Sequence, residues 1–155
     1  MELRFLEFLK DRIIFSADEV YPNLFQSSKI SRRGDLEKVK ALKINTVIDL
    51  EGGFDPPMDF LNLYLYWPIH DAPLLPDLEI LLMVAKFGMM ELRSGKKVLV
   101  HCAQGLNRSG LVCGQIMILC GWSGQMVVDT IRKKRVGSLY NLVFYEYLKS
   151  CYLRG

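Results

Sequence analysis

The stretch Lys96-Lys97-Val98-Leu99-Val100-His101-Cys102-Ala103-Gln104-Gly105-Leu106-Asn107-Arg108-Ser109-Gly110 decides how this chain folds. Two lysines followed by three branched aliphatic residues have the pattern of a short buried strand, and helical periodicity begins near Arg108 and runs to Cys120. The polar segment between them has a mechanical meaning. Arg108 follows Cys102 by six positions, enough for the backbone to curl around a tetrahedral anion with successive amide N–H groups turned inward. Gly105 permits the curl. The helix that follows adds its unpaired amides and the positive end of its dipole. Arg108 supplies a planar fork for two phosphate oxygens, which lysine cannot imitate.

A cysteine sulfur facing such a field is favoured as the thiolate, the nucleophilic form, so Cys102 is placed to attack phosphorus. The product would be a phosphocysteine. Transition-state charge falls on Arg108 and on the amides of Ala103, Gln104, Gly105, Leu106, Asn107 and Arg108, so no metal and no cofactor is expected. Ser109 offers a hydroxyl that can hydrogen-bond the sulfur as it leaves. The departing oxygen also needs a proton from a neighbouring loop. Asp71 is the candidate acid, in the segment Pro68-Ile69-His70-Asp71-Ala72-Pro73, and the same carboxylate can then activate water. If the strands before Asp71 and Cys102 are parallel neighbours, the two residues emerge at one sheet edge.

Working outward, the pattern predicts a short amphipathic helix at the N-terminus (residues 1–18, with Leu3, Phe5, Leu6, Phe8, Leu9 and Ile13 apolar) and an edge strand over Val20 to Phe25, where Pro22 suits an edge. A helix follows on Leu36, Val39 and Leu42, then a strand over Thr46 to Leu50 and another over Leu61 to Trp67. Leu78, Leu81, Leu82, Ala85, Met89 and Leu92 keep helical spacing, with Pro76 and Asp77 before them and Gly95 after. Beyond Gly110 the chain reads as helical over Ser123 to Arg135 and Leu139 to Tyr152. Strands alternating with helices predict an α/β fold with a central, mostly parallel sheet of about five strands flanked by helices.

The 155 residues contain no repeat, low-complexity tract or linker, and are read as one catalytic domain, 1–155. Half are hydrophobic, which excludes disorder as the main state, and the formal charge of +3 is too slight for a general nucleic-acid binder. Cys102, Cys113, Cys120 and Cys151 show no C-x-x-C pair, so neither a zinc site nor a disulfide scaffold is expected. No apolar run is long enough to span a membrane. A cytoplasmic monomer is the expectation, with thiols kept reduced.

The run His101 to Gly110 matches H-C-x-x-G-x-x-R-[S/T]-G, and the chain resembles the small atypical dual-specificity phosphatases, within the cysteine-dependent protein tyrosine phosphatases. The later run Val136-Gly137-Ser138-Leu139-Tyr140-Asn141-Leu142-Val143-Phe144 adds to the likeness. The resemblance implies a protein tyrosine phosphatase-like fold, Cys102 as nucleophile, Arg108 as phosphate binder, Asp71 as general acid, Ser109 as the assisting hydroxyl, and Asn141 as a brace for the signature loop. It also implies phosphorylated proteins as substrates, on phosphotyrosine and further on phosphoserine or phosphothreonine. Two departures shape the expectation. Trp67-Pro68 is followed by Ile69-His70-Asp71 rather than directly by Asp, and the loop that deepens the pocket in tyrosine-specific enzymes has no counterpart, which predicts a shallow pocket. RNA 5′-phosphates, a minority reading based on Gly105-Leu106-Asn107-Arg108, phosphoinositides, and phosphate binding without turnover stay open as alternatives. His101 reads as a residue that shapes the loop from behind, His70 as a loop residue, Cys113, Cys120 and Cys151 as inert core, and Arg132-Lys133-Lys134-Arg135 as a solvated helix end.

Overall fold

A computed structural model describes residues 14–152. Strands β1 (Ala17–Tyr21), β2 (Leu24–Ser27), β3 (Thr46–Asp49), β4 (Leu63–Tyr66) and β5 (Val98–His101) form one sheet in the order β1-β2-β5-β3-β4. Only the β1–β2 pair is antiparallel; β2–β5, β5–β3 and β3–β4 are parallel. The helices are α1 (Arg33–Ala41), α2 (Leu78–Arg93), α3 (Arg108–Leu119), α4 (Gly124–Lys134) and α5 (Leu142–Ser150). The expected mostly parallel sheet is therefore present.

Alternation along the central strands builds two apolar layers. Leu24, Ile48, Val98 and Val100 pack with Leu111, Ile116, Val128, Phe144 and other residues of α2 to α5. Phe25, Val47 and Leu99, their sequence neighbours, face the opposite layer with Val39 of α1, as the two-residue period of a strand requires. β2, β3 and β5 are buried along their whole length. α2 starts where Asp77 accepts hydrogen bonds from the amides of Glu79 and Ile80, and it stops before Gly95, whose φ is +77°. Gly88 lets α3 approach closely: a Cβ there would lie 2.6 Å from Ile116 Cδ1. No helix among the described residues is long and apolar enough to cross a membrane.

Several boundaries differ from expectation. Val20 to Phe25 is two strands joined at Pro22-Asn23, because Asn23 adopts φ 64° and reverses the chain. Its second half, β2, is an interior strand. The helix expected over 1–18 falls on residues outside those described up to 13, and residues 17–18 open β1. The last helix begins at Leu142 rather than Leu139, because Leu139 takes the left-handed φ of 58° and Asn141 forms the cap. Finally, β4 and β5 are parallel but not neighbours, since β3 runs between them.

Candidate active site

All four parallel strands end at one sheet edge, and the residues expected to carry chemistry leave from there. β5 delivers His101 and then Cys102, β4 leads into the loop bearing Asp71, and the loop from Cys102 to Asn107 opens α3.

The signature loop is held by its carbonyls. The Ala103 oxygen accepts from the Lys29 amide at 3.0 Å, and the Leu106 oxygen from the Leu139 amide at 3.1 Å. The Gln104 oxygen accepts from Arg135 Nη2 at 3.2 Å. The Gly105 oxygen accepts from Arg135 Nε at 2.6 Å and from Gln26 Nε2 at 2.9 Å. Four consecutive carbonyls are thus engaged by the surrounding protein. Because each trans peptide points its N–H opposite its C=O, the amides of 104–107 turn to the other side, as the sequence predicts for an anion cradle. Gly105 is required twice over. Its φ is +72°, and a Cβ would sit 2.3 Å from the Ser27 carbonyl atoms, so β2 passes where a side chain would be.

The start of α3 completes the cradle. Asn107 is its N-cap residue but makes no side-chain cap, so the first-turn amides keep their capacity for an external acceptor. Its side chain reaches elsewhere: Nδ2 donates to Asp71 Oδ2 at 2.8 Å, and Oδ1 accepts from the Asn141 amide at 2.9 Å. Asn141 Nδ2 donates to Asp71 Oδ1 and to the Ala72 carbonyl, each at 2.9 Å, while its Oδ1 caps α5 by accepting from the Val143 amide. Asp71 is thereby tied across β3 to the signature loop. Asn141, named by resemblance as a brace, touches the signature loop through the Asn107 side chain.

Cys102 is buried at 2% exposure, with Ser109 Oγ 3.4 Å from its sulfur. Arg108 Nη1 donates to the Ile69 carbonyl of the Asp71 loop at 3.1 Å, and Arg108 Nε is buried without a hydrogen-bond partner among the described residues. A buried guanidinium donor left this way is costly unless an acceptor arrives. Of the other thiols, Cys113 is core as expected, and burial pushes it well above the ordinary thiol range, whereas Cys120 and Cys151 are only half-buried, burial raising them too.

Behind the nucleophile, His101 is fully buried beside two carboxylates. Its Nε2 lies 2.6 Å from Asp55 Oδ2 and 3.5 Å from Asp49 Oδ1. Burial works against charge on His101, but the hydrogen bond and charge of Asp55 and the charge of Asp49 outweigh it and raise its protonation above the usual histidine range. Burial also raises Asp49, against the attraction of His101 and a hydrogen bond from the Tyr64 hydroxyl.

One expectation needs correction. The run Arg132 to Arg135 is not a uniformly solvated helix end, because Arg135 is only 6% exposed. Besides the two loop carbonyls, it donates to Asp18 Oδ2 at 2.7 Å and to Ser16 Oγ at 3.1 Å. The signal was in the spacing: Val127 and Ile131 lie on the buried face of α4, and Arg135, the residue that ends the helix, follows at the same four-residue interval. Gln26, Asp49 and Asp55 are also absent from the expected site, and the side chain of Asn107 has a task beyond that of its amide.

A family model described as protein-tyrosine phosphatase matches residues 58–154. The fold superposes on Tk-PTP in its active form with a TM-score of 0.71, at 27% identity over 86% of this chain and 96% of that one. It is similar to the human tyrosine phosphatase-like serine/threonine/tyrosine-interacting protein, with a TM-score of 0.73 and 23% identity over 86% and 93% of the two chains. Human DUSP28 superposes with a TM-score of 0.72 at 22% identity, covering 86% of this chain and 90% of its own. No curated protein sequence matches.

Proposed function

The chain belongs to the protein-tyrosine phosphatase family, and from that premise we propose that it hydrolyses phosphotyrosine in proteins, and phosphoserine or phosphothreonine besides, through a phosphocysteine at residue 102. The observation that carries this reading is the outward hold on the carbonyls of Ala103 to Leu106, which supports a loop whose amides of 104–107 turn the other way, toward an anion.

The steps follow from the placements. The phosphate settles on the loop amides and the Arg108 fork. The Cys102 sulfur attacks phosphorus as the ester oxygen departs, taking a proton from the Asp71 carboxyl. Asp71, now a carboxylate, accepts a proton from water as that water attacks the phosphocysteine. The S–P bond breaks, phosphate leaves, and Ser109, 3.4 Å from the sulfur, donates to the thiolate that is released. A reducing compartment such as the cytoplasm keeps the sulfur available.

A single panel tests the reading. Phosphotyrosine and phosphothreonine peptides, a phosphoinositide and 5′-triphosphorylated RNA are offered to the purified protein in the presence of chelator. Phosphate release from the peptides, lost in Cys102→Ser, is the expected result. Release only from the lipid or the RNA would move the substrate class, and tight binding without release would make the protein a phosphate-binding module.

A further inference from the structure

Asp55 lies in the segment between β3 and β4, 47 positions before the nucleophile, yet its carboxylate is 6% exposed and sits 2.6 Å from His101 Nε2. Burial of a carboxylate at this depth is unfavourable unless a specific partner meets it. His101 is that partner, and it immediately precedes Cys102. The opposite ring nitrogen, Nδ1, is buried and makes no well-aligned hydrogen bond among the described residues, and the ring's remaining polar neighbour is the backbone of Cys102, so the bond at Nε2 is the strong one that orients the imidazole. Sheet register brings Asp49 of β3 level with His101 of β5, but Asp49 stands farther off, at 3.5 Å. Its Oδ1 also accepts the Glu51 amide and its Oδ2 the Tyr64 hydroxyl. β2 presents Ser27 at the same level, which carries no charge. The groups facing His101 are therefore Asp55, Asp49 with Tyr64 behind it, and Cys102 itself.

We propose that Asp55 is a positioning residue for the nucleophile: by hydrogen-bonding His101 it fixes the imidazole against the backbone that carries Cys102. The inference rests on the reading of Cys102 as the nucleophile. An imidazolium held one residue behind Cys102 adds its positive charge to the field of the loop amides and Arg108, and a thiolate is the form that reacts. A purely structural pairing would stabilise the loop between β3 and β4 and leave the sulfur's reactivity unchanged.

Alkylation of Cys102 by iodoacetamide, followed against pH together with thermal melting, separates the two roles and needs no phosphate ester. In Asp55→Asn the rate at pH 6 is expected to fall about tenfold, equivalent to one unit of displacement along the pH axis, with the wild-type rate recovered above pH 9. Asp55→Glu, which keeps the carboxylate, should restore most of the rate at pH 6, and it serves alone if Asp55→Asn does not fold, by showing a smaller displacement in the same direction. Profiles that superimpose on wild type, with only the melting temperature lowered, would overturn the proposal. If the profile shifts while wild-type protein releases no phosphate from any peptide, the positioning role stands and the catalytic reading falls.

Discussion

Asp71 is the residue on which the two halves of the proposed reaction turn, and its carboxylate oxygens are both held by amides, one from Asn107 and one from Asn141. This clasp fixes the carboxyl beside the cradle. Asp71→Asn should lower turnover by about 10²–10⁴-fold for alkyl phosphates, whose leaving oxygen needs a proton, and far less for nitrophenyl phosphate. Equal losses across leaving groups in steady-state assays would remove Asp71 from the acid role. Gly105 makes a different kind of demand. At φ +72° and with β2 2.3 Å from any Cβ, Gly105→Ala should cost about 1–3 kcal/mol in denaturant unfolding and abolish binding of inorganic phosphate. Unchanged phosphate affinity would mean that the loop does not need this backbone path.

Among the elements, the contact between the end of α4 and the signature loop has the most to lose. Arg135 spans from Asp18 in β1 to the carbonyls of Gln104 and Gly105, so one side chain couples an edge strand, a helix end and the cradle. Arg135→Met should destabilise the fold by about 1–3 kcal/mol, the order expected when buried acceptors such as the Gly105 carbonyl lose their donor; Asp18, 45% exposed, adds little to that. Arg135→Lys should restore a small part of that stability through Asp18, yet leave phosphate binding impaired, because lysine lacks the fork that meets two carbonyls. A lysine variant with wild-type phosphate affinity would show that the loop holds its shape without this clamp.

These elements differ in how far they could be read ahead of the structure. The strand before Cys102, the curl at Gly105 and the capped helix α2 are written in local spacing, since turn, cap and periodicity signals act within a few residues. Cys102, Arg108 and Ser109 sit where the motif puts them, and Asp71 reaches the cradle even though β3 separates its strand from β5. The hairpin at Pro22-Asn23 was hidden because two four- to five-residue strands joined by two residues resemble one strand containing a proline. Asp55 and Arg135 were hidden for another reason: their partners lie 46 and 30 residues away, and a buried hydrogen bond across the sheet leaves no periodic trace.

At the scale of the whole molecule, the buried His101 makes stability depend on pH. The folded state holds its proton more tightly than the unfolded chain, whose histidine titrates near 6.5. Its contribution is therefore complete below that pH and is lost as the pH rises through the higher folded value. Asp49, also raised, acts in the same direction over the carboxylate range, because the unfolded chain ionises first. Thermal melting should accordingly fall between pH 6 and pH 9, and Asp55→Asn should flatten that slope. A slope identical to wild type would mean that Asp55 does not support the charge on His101.

The account joins these scales at one bond, between Cys102 and phosphorus. Acid quenching during turnover of an aryl phosphate, followed by mass analysis of the peptide containing Cys102, tests that bond directly, and Asp71→Asn should prolong its lifetime by slowing the attack of water. A phosphorylated Cys102 is expected in wild type, more of it in Asp71→Asn, and neither adduct nor phosphate release in Cys102→Ser. Phosphate release that continues in Cys102→Ser, with no adduct at residue 102 in the wild-type protein, would contradict it.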